Sequence, residues 1–202
     1  MLDEGVQSQQ RQQADPTPWE EPHATVWTIV DSPVDPLLLA ARDDAQHTLG
    51  GADGAQAALT GIWFSPHKGL EQSVRADRSG WHRNDDHPTL AAARCQLAEY
   101  FAGNRRTFDL PLAPAGTGFQ QRVWLRLREI PYGRTVSYGS IAAGLGLAPG
   151  ASRAVGLANG ANPVSIVVPC HRVVGADGSL TGFGGGLQRK RHLLDLESDL
   201  LF

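Results

Sequence analysis

A proline-rich stretch in the middle of the chain, DLPLAPAGTG over residues 109–118, separates two segments whose apolar patterns differ. Before it, short β-branched runs flank one long amphipathic pattern, whereas after it short helical patterns follow one another between Gly and Pro turns. A chain of 202 residues, 41% of them apolar, suffices for one large domain or two small ones. We therefore predict an N-terminal domain over residues 21–110, a linker over 111–116 and a second domain over 117–202.

The N-terminal segment predicts a small α/β domain. Residues 1–20 are rich in Gln, Pro and acidic residues and predict a disordered tail. ATVWTIVDSP and LTGIWFSP predict strands, and the stretch between them predicts only a short element. PTLAAARCQLAEYFAGN predicts a helix that begins at Pro88 and Thr89 and ends at Gly103. Cys95 lies inside this helix, where we expect a small, half-buried apolar side chain.

Three short helices are predicted after the linker. GTGFQQRVWLRLREIPYG opens with a Thr cap and ends at Pro131 and Gly133, VSYGSIAAGLG is capped by Ser137, and GASRAVGLANG follows a break at Pro149 and Gly150. The last two form a helix-turn-helix candidate, whose second helix would meet DNA. Helical hairpins are common, so this spacing alone leaves DNA binding open.

Charge is segregated along the chain although the net charge is only −3. Residues 1–114 hold 9 Lys and Arg against 16 Asp and Glu, and residues 115–202 hold 9 against 5. Since salt screens charges over about 8 to 10 Å, the local surface decides more than the total. The second half is therefore compatible with binding to phosphates, with chance unevenness as the alternative.

Cysteine usage and hydropathy indicate a cytoplasmic protein with free thiols. The chain has two cysteines, no signal-peptide pattern and no apolar run near the roughly 18 residues of a membrane span. Two cysteines exclude a zinc site of several thiolates, and the seven histidines show no ligand spacing. We therefore predict no metal site and no membrane partner.

The segment SIVVPCHRVVG carries the candidate chemistry. Its β-branched residues predict a short strand broken at Pro169, which would turn the chain and expose Cys170, His171 and Arg172. A thiol is nucleophilic only when ionised, and neighbouring cations favour ionisation. Neighbours on a strand point to opposite faces, so direct contact between the thiol and the imidazole is not guaranteed and water is one route for the proton. A purely structural Cys–His pair is the alternative.

Taken together, these motifs resemble the O6-alkylguanine-DNA alkyltransferases, repair proteins that take an alkyl group from a damaged base onto their own cysteine. GTGFQQRVW, IPYGRTVSYGSIA, RAVGLANGANP and PCHRVVG occur in that family's order over about residues 116–197, while the N-terminal half matches loosely, in GIWFSPHKG. The resemblance implies a ribonuclease-H-like α/β N-terminal domain. It also implies a mainly α, winged-helix-like C-terminal domain with a helix-turn-helix.

The resemblance assigns four catalytic positions. Cys170 corresponds to the alkyl acceptor, and His171 to the histidine that activates it through a bridging water. Glu197 corresponds to the glutamate that orients this histidine, an order of nucleophile, base and orienting group known from other cysteine chemistry. Asn162 corresponds to the asparagine that braces the turn before the active site.

The resemblance also implies a DNA-binding helix. Arg153 corresponds to the arginine that enters the base stack, and Tyr138 to the tyrosine that crowds the phosphate of the damaged nucleotide. Ala154 and Gly156 belong to the small-residue face of the helix. The alkylated base would be flipped out through the minor groove, where sequence readout is poor.

A substrate pocket is implied around Pro169, Arg172, Phe183 and Gly184, with the Gly-rich stretch GADGSLTGFGGGL closing it. No strand and helix frame this stretch as a dinucleotide-binding motif, so we predict no cofactor. Two features depart from the family. Phe183 replaces the usual tyrosine, which removes a hydrogen-bond donor, and GLGLAPGAS is about one residue longer than in some relatives.

The implied function is direct repair in a single irreversible turnover, with O6-alkylguanine as the substrate in duplex DNA and activity on O4-alkylthymine left open. The expected partner is double-stranded DNA with alkylated bases, bound by a monomer, with protein–protein contacts on the bound DNA left open. Two other classes are a lesion sensor with an idle cysteine and a cysteine hydrolase or acyltransferase. Transfer kinetics would separate the first from a repair protein, and DNA binding would separate the second.

Overall fold

The structure is a computed structural model that describes residues 25–51, 53–64 and 80–199. The predicted tail over 1–20 and the second half of the GIWFSPHKG motif lie outside these residues. In the described part of the chain, no helix has the length and apolar character needed to span a membrane.

A four-stranded mixed sheet forms the N-terminal part, in the order β3-β2-β1-β4. Its strands are β1 (Thr25–Val30), β2 (Leu37–His47), β3 (Asp53–Phe64) and β4 (Trp81–Arg83). The β1–β2 and β2–β3 pairs are antiparallel, and β4 runs parallel to β1. The two predicted strands correspond to β1 and to the second half of β3.

The prediction of one short element between them is wrong, because that stretch forms all of β2 and the first half of β3. Residues 37–41 are all buried, so the strand lacks the alternation that marks a sheet with one wet face. Gly50, with a φ of +72°, lies in the turn between the two strands. The Gly breaks in the sequence therefore mark a hairpin turn and not the end of an isolated element.

One helix, α1 (Pro88–Phe101), packs against this sheet. Its buried face consists mainly of Leu90, Ala93, Leu97 and Tyr100, and Gly103 follows its end with a φ of +77°. The prediction for Cys95 is wrong, because its side chain is exposed. A position two residues after a buried one turns about 200° around the helix, which places Cys95 on the solvent side.

The C-terminal part is mainly helical, which confirms the predicted fold class of a mixed α/β part followed by a helical part with a helix-turn-helix. Thr117 and Gln120 form a capping box at the start of its first helix. Ser137 caps the next helix by accepting a hydrogen bond from the Ser140 N–H. The elements are α2 (Gly118–Arg128), β5 (Val136–Ser137), α3 (Tyr138–Gly144), α4 (Ser152–Gly160), β6 (Val173–Val174) and α5 (Leu187–Asp199).

Strand β3 connects the sheet to the helical part. The Leu59 N–H donates to the Pro111 carbonyl at 2.8 Å, and the Ala113 N–H donates back to Leu59 at 2.8 Å. Further along β3, the Ile62 N–H donates to the Pro163 carbonyl at 2.8 Å. The predicted linker and the segment before Cys170 both lie along this strand, and one apolar core continues through both parts. The domain boundaries stay a prediction.

Candidate active site

The chain reaches Cys170 through a tight turn over residues 164–168. Ile166 has a φ of +73°, which is rare for a β-branched residue. The Asn162 amide stabilises the turn: its Nδ2 donates to the Val168 carbonyl at 2.9 Å, and its Oδ1 accepts from the Val164 N–H at 3.0 Å. The predicted strand over this segment is therefore wrong, and regular pairing is confined to Val173–Val174 in β6.

Cys170, His171 and Arg172 form one turn of 3-10 helix. Their exposed fractions are 4%, 0% and 6%. The prediction that Pro169 exposes these residues is wrong, because Pro169 turns the chain into the core and not toward solvent. Within this turn, the imidazole of His171 and the guanidinium of Arg172 both contact Glu197.

Glu197, on α5, is the centre of a buried hydrogen-bond network. Its Oε1 lies 2.9 Å from His171 Nε2 and accepts from Arg172 Nη2 and from Tyr100 Oη, each at 2.8 Å. Its Oε2 accepts from Arg172 Nε at 2.8 Å and from the Gly133 N–H at 3.1 Å. The carboxylate thus makes five contacts with four residues, and the buried charge of Glu197 is balanced by Arg172.

The network fixes the protonation state of His171. Burial favours the neutral form of Glu197, but hydrogen bonds from His171 and Arg172 outweigh it and lower the pKa of the carboxyl to about 2. Burial lowers the pKa of His171 below its ordinary 6.5, against the opposing effect of Glu197. A neutral imidazole beside a carboxylate must donate from Nε2, which leaves a lone pair on Nδ1. His171 Nδ1 is buried and has no hydrogen-bond partner among the described residues.

The Cys170 thiol is protonated at neutral pH. Burial raises its pKa to about 11, although the Asn162 amide and the nearby Lys190 act in the opposite direction. The neighbouring Arg172 does not ionise the thiol, because its charge is balanced by Glu197, and His171 is neutral. Attack by sulfur must therefore be coupled to loss of the thiol proton.

Two residues of this site were missed in the sequence. Tyr100 lies on α1 in the N-terminal half, 97 positions before Glu197, and only tertiary packing brings the two together. Lys190 is fully buried at the start of α5, where its Nζ donates to the carbonyls of Val173 at 2.6 Å and Thr181 at 2.8 Å. The helical period of α5 carries a signal for Lys190, since it lies seven residues before Glu197 on the same face.

Residues 175–186, called the pocket loop below, lie between β6 and α5. Tyr138 Oη donates to the carbonyls of Thr181 at 3.1 Å and Gly182 at 3.2 Å, so the helix-turn-helix holds the loop from one side. Phe183 is half-buried, and its ring packs against Phe64 with centroids 5.6 Å apart. A cavity of about 350 Å³ borders the loop, and its lining includes Phe64, Asn162 and Gly184.

The predicted pocket residues fall into two groups. Phe183 and Gly184 belong to the pocket loop, and a Cβ on Gly184 would lie 3.4 Å from the Gly160 carbonyl oxygen. Arg172 is directed elsewhere: besides Glu197, it donates from Nη1 to the Ile130 carbonyl at 2.7 Å. Pro169 and Arg172 border a separate cavity of about 180 Å³ that also contacts Tyr132. Arg172 therefore supports Glu197 from inside the protein.

Helix α4 presents one side to solvent. Arg153 and Ala154 are exposed, and Leu157 is 72% exposed although it is apolar. The opposite side is buried, and Trp124 Nε1 on α2 donates to the Ala158 carbonyl at 2.9 Å. A Cβ on Gly156 would lie 3.8 Å from the Tyr138 ring, so these two predicted DNA-binding residues are neighbours.

The family models match both halves of the chain. A model described as the DNA-binding domain of 6-O-methylguanine DNA methyltransferase matches residues 118–199. The ribonuclease-like domain of the same family matches residues 25–114. The chain belongs to the 6-O-methylguanine DNA methyltransferase family. The predicted resemblance is thereby confirmed, and it extends over the N-terminal half that the sequence motifs matched only loosely.

Relatives of this methyltransferase family cover nearly the same length. The chain is 49% identical over 171 residues to the methylated-DNA--protein-cysteine methyltransferase of Mycobacterium bovis, which is 85% of this chain and 91% of that protein. It is 45% identical to the methylated-DNA--protein-cysteine methyltransferase of Methanosarcina acetivorans, over 85% of this chain and 97% of that protein. The solved structure of Mycobacterium tuberculosis OGT in complex with DNA has a TM-score of 0.70 and 45% identity, covering 87% of this chain and 94% of that one.

Proposed function

We propose that this protein repairs DNA by transferring the alkyl group of O6-alkylguanine to Sγ of its own Cys170. The observation that carries this proposal is the buried Cys170–His171–Glu197 constellation in a chain of the methyltransferase family. The site supplies a protonated nucleophile, a neutral base in the adjacent position and a carboxylate that fixes the tautomer of that base. These are the parts that an activated cysteine requires.

The transfer is a displacement at the alkyl carbon. The bond between Sγ and carbon forms while the bond between carbon and O6 of guanine breaks, and the thiol proton passes through water to Nδ1 of His171. The departing guanine takes up a proton from water at its ring nitrogen, and the imidazolium of His171 returns the thiol proton to water, so that thiol and alkylguanine become thioether and guanine. The step balances with no metal ion or cofactor. Because the thioether has no route back to a thiol, each molecule acts once.

Glu197 and its partners support the proton transfer. When Nδ1 of His171 receives the thiol proton, the imidazole becomes a cation next to the ionised Glu197. A carboxylate already held by Arg172 and Tyr100 does not have to reorganise to stabilise this charge. Asn162 holds the turn that fixes the Cys170 backbone, and its amide favours the thiolate as it forms.

The exposed side of α4 is the proposed DNA interface. The alkylated oxygen of a stacked guanine cannot reach a buried thiol, so the base must leave the duplex. Arg153 is exposed at the start of α4 and fills the resulting gap, while Ala154 and Gly156 allow close approach in the minor groove. Tyr138 lies between Gly156 and the pocket loop, where it crowds the rotating nucleotide. O4-alkylthymine is a second proposed substrate.

The remaining assignments of the sequence analysis are kept as proposals. The protein works in the cytoplasm, where its DNA substrate and reduced thiols occur together. It binds DNA as a monomer, with a substrate pocket formed by Phe183 and Gly184, while Pro169 and Arg172 border the separate cavity behind Glu197. The division into residues 21–110 and 117–202 is part of the same proposal.

A mass measurement tests the proposal, with the second cysteine as a matched control. Wild type, Cys170→Ala and Cys95→Ala are each incubated with duplex DNA that contains one O6-methylguanine. We expect one added methyl on the Cys170 peptide of wild type and of Cys95→Ala, and none on Cys170→Ala. Lesion binding without any change in mass would favour a sensor, whereas ester turnover without DNA binding would favour a hydrolase. Methyl on another residue would refute the assignment of Cys170.

A further inference from the structure

Arg189, at the start of α5, connects the pocket loop to the N-terminal sheet. Its Nη1 donates to the Gly185 carbonyl at 2.6 Å. Its Nε and Nη2 lie 2.9 and 2.8 Å from Oδ2 of Asp35, which belongs to the turn between β1 and β2. One guanidinium therefore binds a backbone oxygen of the loop and a carboxylate of the sheet at the same time.

The backbone of Asp35 is in an unusual conformation. Its φ is +76°, in the left-handed region that favours glycine. Aspartate tolerates this region better than most residues but gains no stability from it. A glycine would fit this turn with less strain, but it would lack the carboxylate that binds Arg189. The contact with Arg189 therefore explains why an aspartate stands at this position.

Phe64, at the end of β3, completes the connection. The Arg189 guanidinium lies over its ring, 5.5 Å from the centroid, and the ring packs against Phe183. A Cβ on Gly185 would lie 2.5 Å from Phe64 Cδ2, so the backbone of the loop passes directly against the ring. The sheet thus contacts the loop at Gly185, next to Gly184, and at the ring of Phe183, a proposed pocket residue.

At other points, the described contacts of the loop come from the helical part. Tyr138 and Lys190 bind its residues Thr181 and Gly182. Arg189 and Phe64 bind its opposite end and form part of the wall of the 350 Å³ cavity beside Asn162. Asn162 links this cavity to the active site, because its amide also acts on the Cys170 thiol.

We propose that Asp35, Phe64 and Arg189, together the loop clamp, are positioning residues that set the size of the alkyl adduct accepted at Cys170. The inference rests on the proposed function, because it concerns the selectivity of that transfer. The clamp holds the far end of the pocket loop against the sheet, which favours a small adduct. When the clamp is released, the loop moves outward, methyl transfer slows and larger adducts gain relative to methyl.

The test compares two adducts in the same duplex, O6-methylguanine and O6-benzylguanine, in single-turnover reactions. The ratio of the two rates cancels any change in DNA affinity or in the amount of folded protein. Asp35→Asn keeps the shape of the side chain without its charge, and Asp35→Gly fits the observed φ. Asp44→Asn is the matched control, because Asp44 forms a partly buried ion pair with Arg42 on β2, outside the clamp.

We expect the benzyl-to-methyl rate ratio to rise about 2- to 5-fold in both Asp35 variants, the effect of losing one exposed ion pair, and to stay at the wild-type value in Asp44→Asn. Arg189→Lys, which keeps a charge but not the fork of donors, should give the same direction of change. An unchanged ratio in both Asp35 variants, with active wild type, would overturn the loop clamp. If wild type transfers neither group, the proposed function fails, and the clamp fails with it.

Discussion

The two sides of the Cys170 site differ in burial and in how they are held. On one side, His171, Arg172 and Tyr100 converge on Glu197, and all four side chains are buried. On the other side, the pocket loop is largely exposed and is held through its carbonyl oxygens by Tyr138, Lys190 and Arg189. The buried side holds the charged and proton-transferring groups, whereas the loop side determines the shape of the pocket.

This difference separates two tasks of a single-turnover protein. Proton transfer requires fixed donors and acceptors in a medium of low dielectric constant, which the core supplies. Admission of a flat base requires a surface that approaches it closely, which a Gly-rich loop supplies. Changes on the buried side should therefore affect stability and rate together, and changes on the loop side should affect the rate or the selectivity alone.

The largest effect is expected from Glu197→Gln. The amide cannot balance Arg172, so a buried cation loses its partner, and we expect the free energy of unfolding to fall by about 3 to 5 kcal/mol. The same change removes the negative charge that stabilises the imidazolium of His171, and methyl transfer should slow by at least about 100-fold. Urea unfolding and single-turnover transfer measure the two effects.

Glu129→Gln serves as the control for this substitution, because Glu129 pairs with Arg126 at the surface. It should change the free energy of unfolding by less than about 1 kcal/mol. Wild-type stability in Glu197→Gln would show that the network around Arg172 contributes no net stabilisation.

Acid should destabilise the folded protein in two steps. The folded state keeps His171 neutral by lowering its pKa, so protons bind the unfolded chain better and the free energy of unfolding falls as the pH drops below about 6.5. The pKa of the Glu197 carboxyl is lowered from 4.5 to about 2. As the pH falls from 4.5 to 2, its protonation therefore lowers the free energy of unfolding further, by on the order of 3 kcal/mol.

Denaturant titrations from pH 8 to pH 3 measure this dependence in wild type and in Glu197→Gln. The variant cannot titrate at position 197, so its loss of stability below pH 4.5 should be smaller than that of wild type. Parallel curves for the two proteins would contradict the role given to Glu197.

An intermediate effect is expected from Tyr100→Phe. Burial raises the pKa of Tyr100, so its hydroxyl remains a donor to Glu197 at neutral pH. Loss of one hydrogen bond to a buried carboxylate should cost about 1 to 3 kcal/mol in the free energy of unfolding. The variant should also slow methyl transfer, although Tyr100 belongs to the other half of the chain.

Tyr132→Phe is the matched control, since the Tyr132 hydroxyl makes only a 3.4 Å contact with the Leu196 carbonyl among the hydrogen bonds described. It should change stability by less than about 1 kcal/mol. Equal losses in the two variants would mean that the hydroxyl of Tyr100 has no special role at Glu197.

The same difference between the two sides explains what the sequence could predict. Local signals predicted the helices: Pro88 starts α1, Thr117 caps α2 and Ser137 caps α3. The motifs, read through the family resemblance, brought together Cys170, His171, Glu197 and Asn162, and the structure places these side chains in one region.

The sequence could not predict the features that depend on tertiary contacts. The β-branched run before Cys170 predicted a strand, but Asn162 and β3 hold it in a turn with Ile166 at positive φ. Arg172 lies close to Cys170 in the sequence, where its charge would favour ionisation of the thiol, but Glu197 balances that charge. Tyr100 carried no signal, because its partner is 97 positions away.

The smallest effect on stability is expected from Phe183→Tyr, on the loop side. Phe183 is half-buried against Phe64, and a hydroxyl added at the ring edge should change the free energy of unfolding by less than about 0.5 kcal/mol. The new phenol restores a donor toward the departing guanine, so methyl transfer should accelerate by about 2- to 10-fold, the equivalent of one neutral hydrogen bond. Single-turnover rates on O6-methylguanine duplex, together with thermal unfolding, give both quantities. A variant that lost stability without gaining rate would show that Phe183 stabilises the fold. The loop side would then contribute to stability, as we expect of the buried side alone.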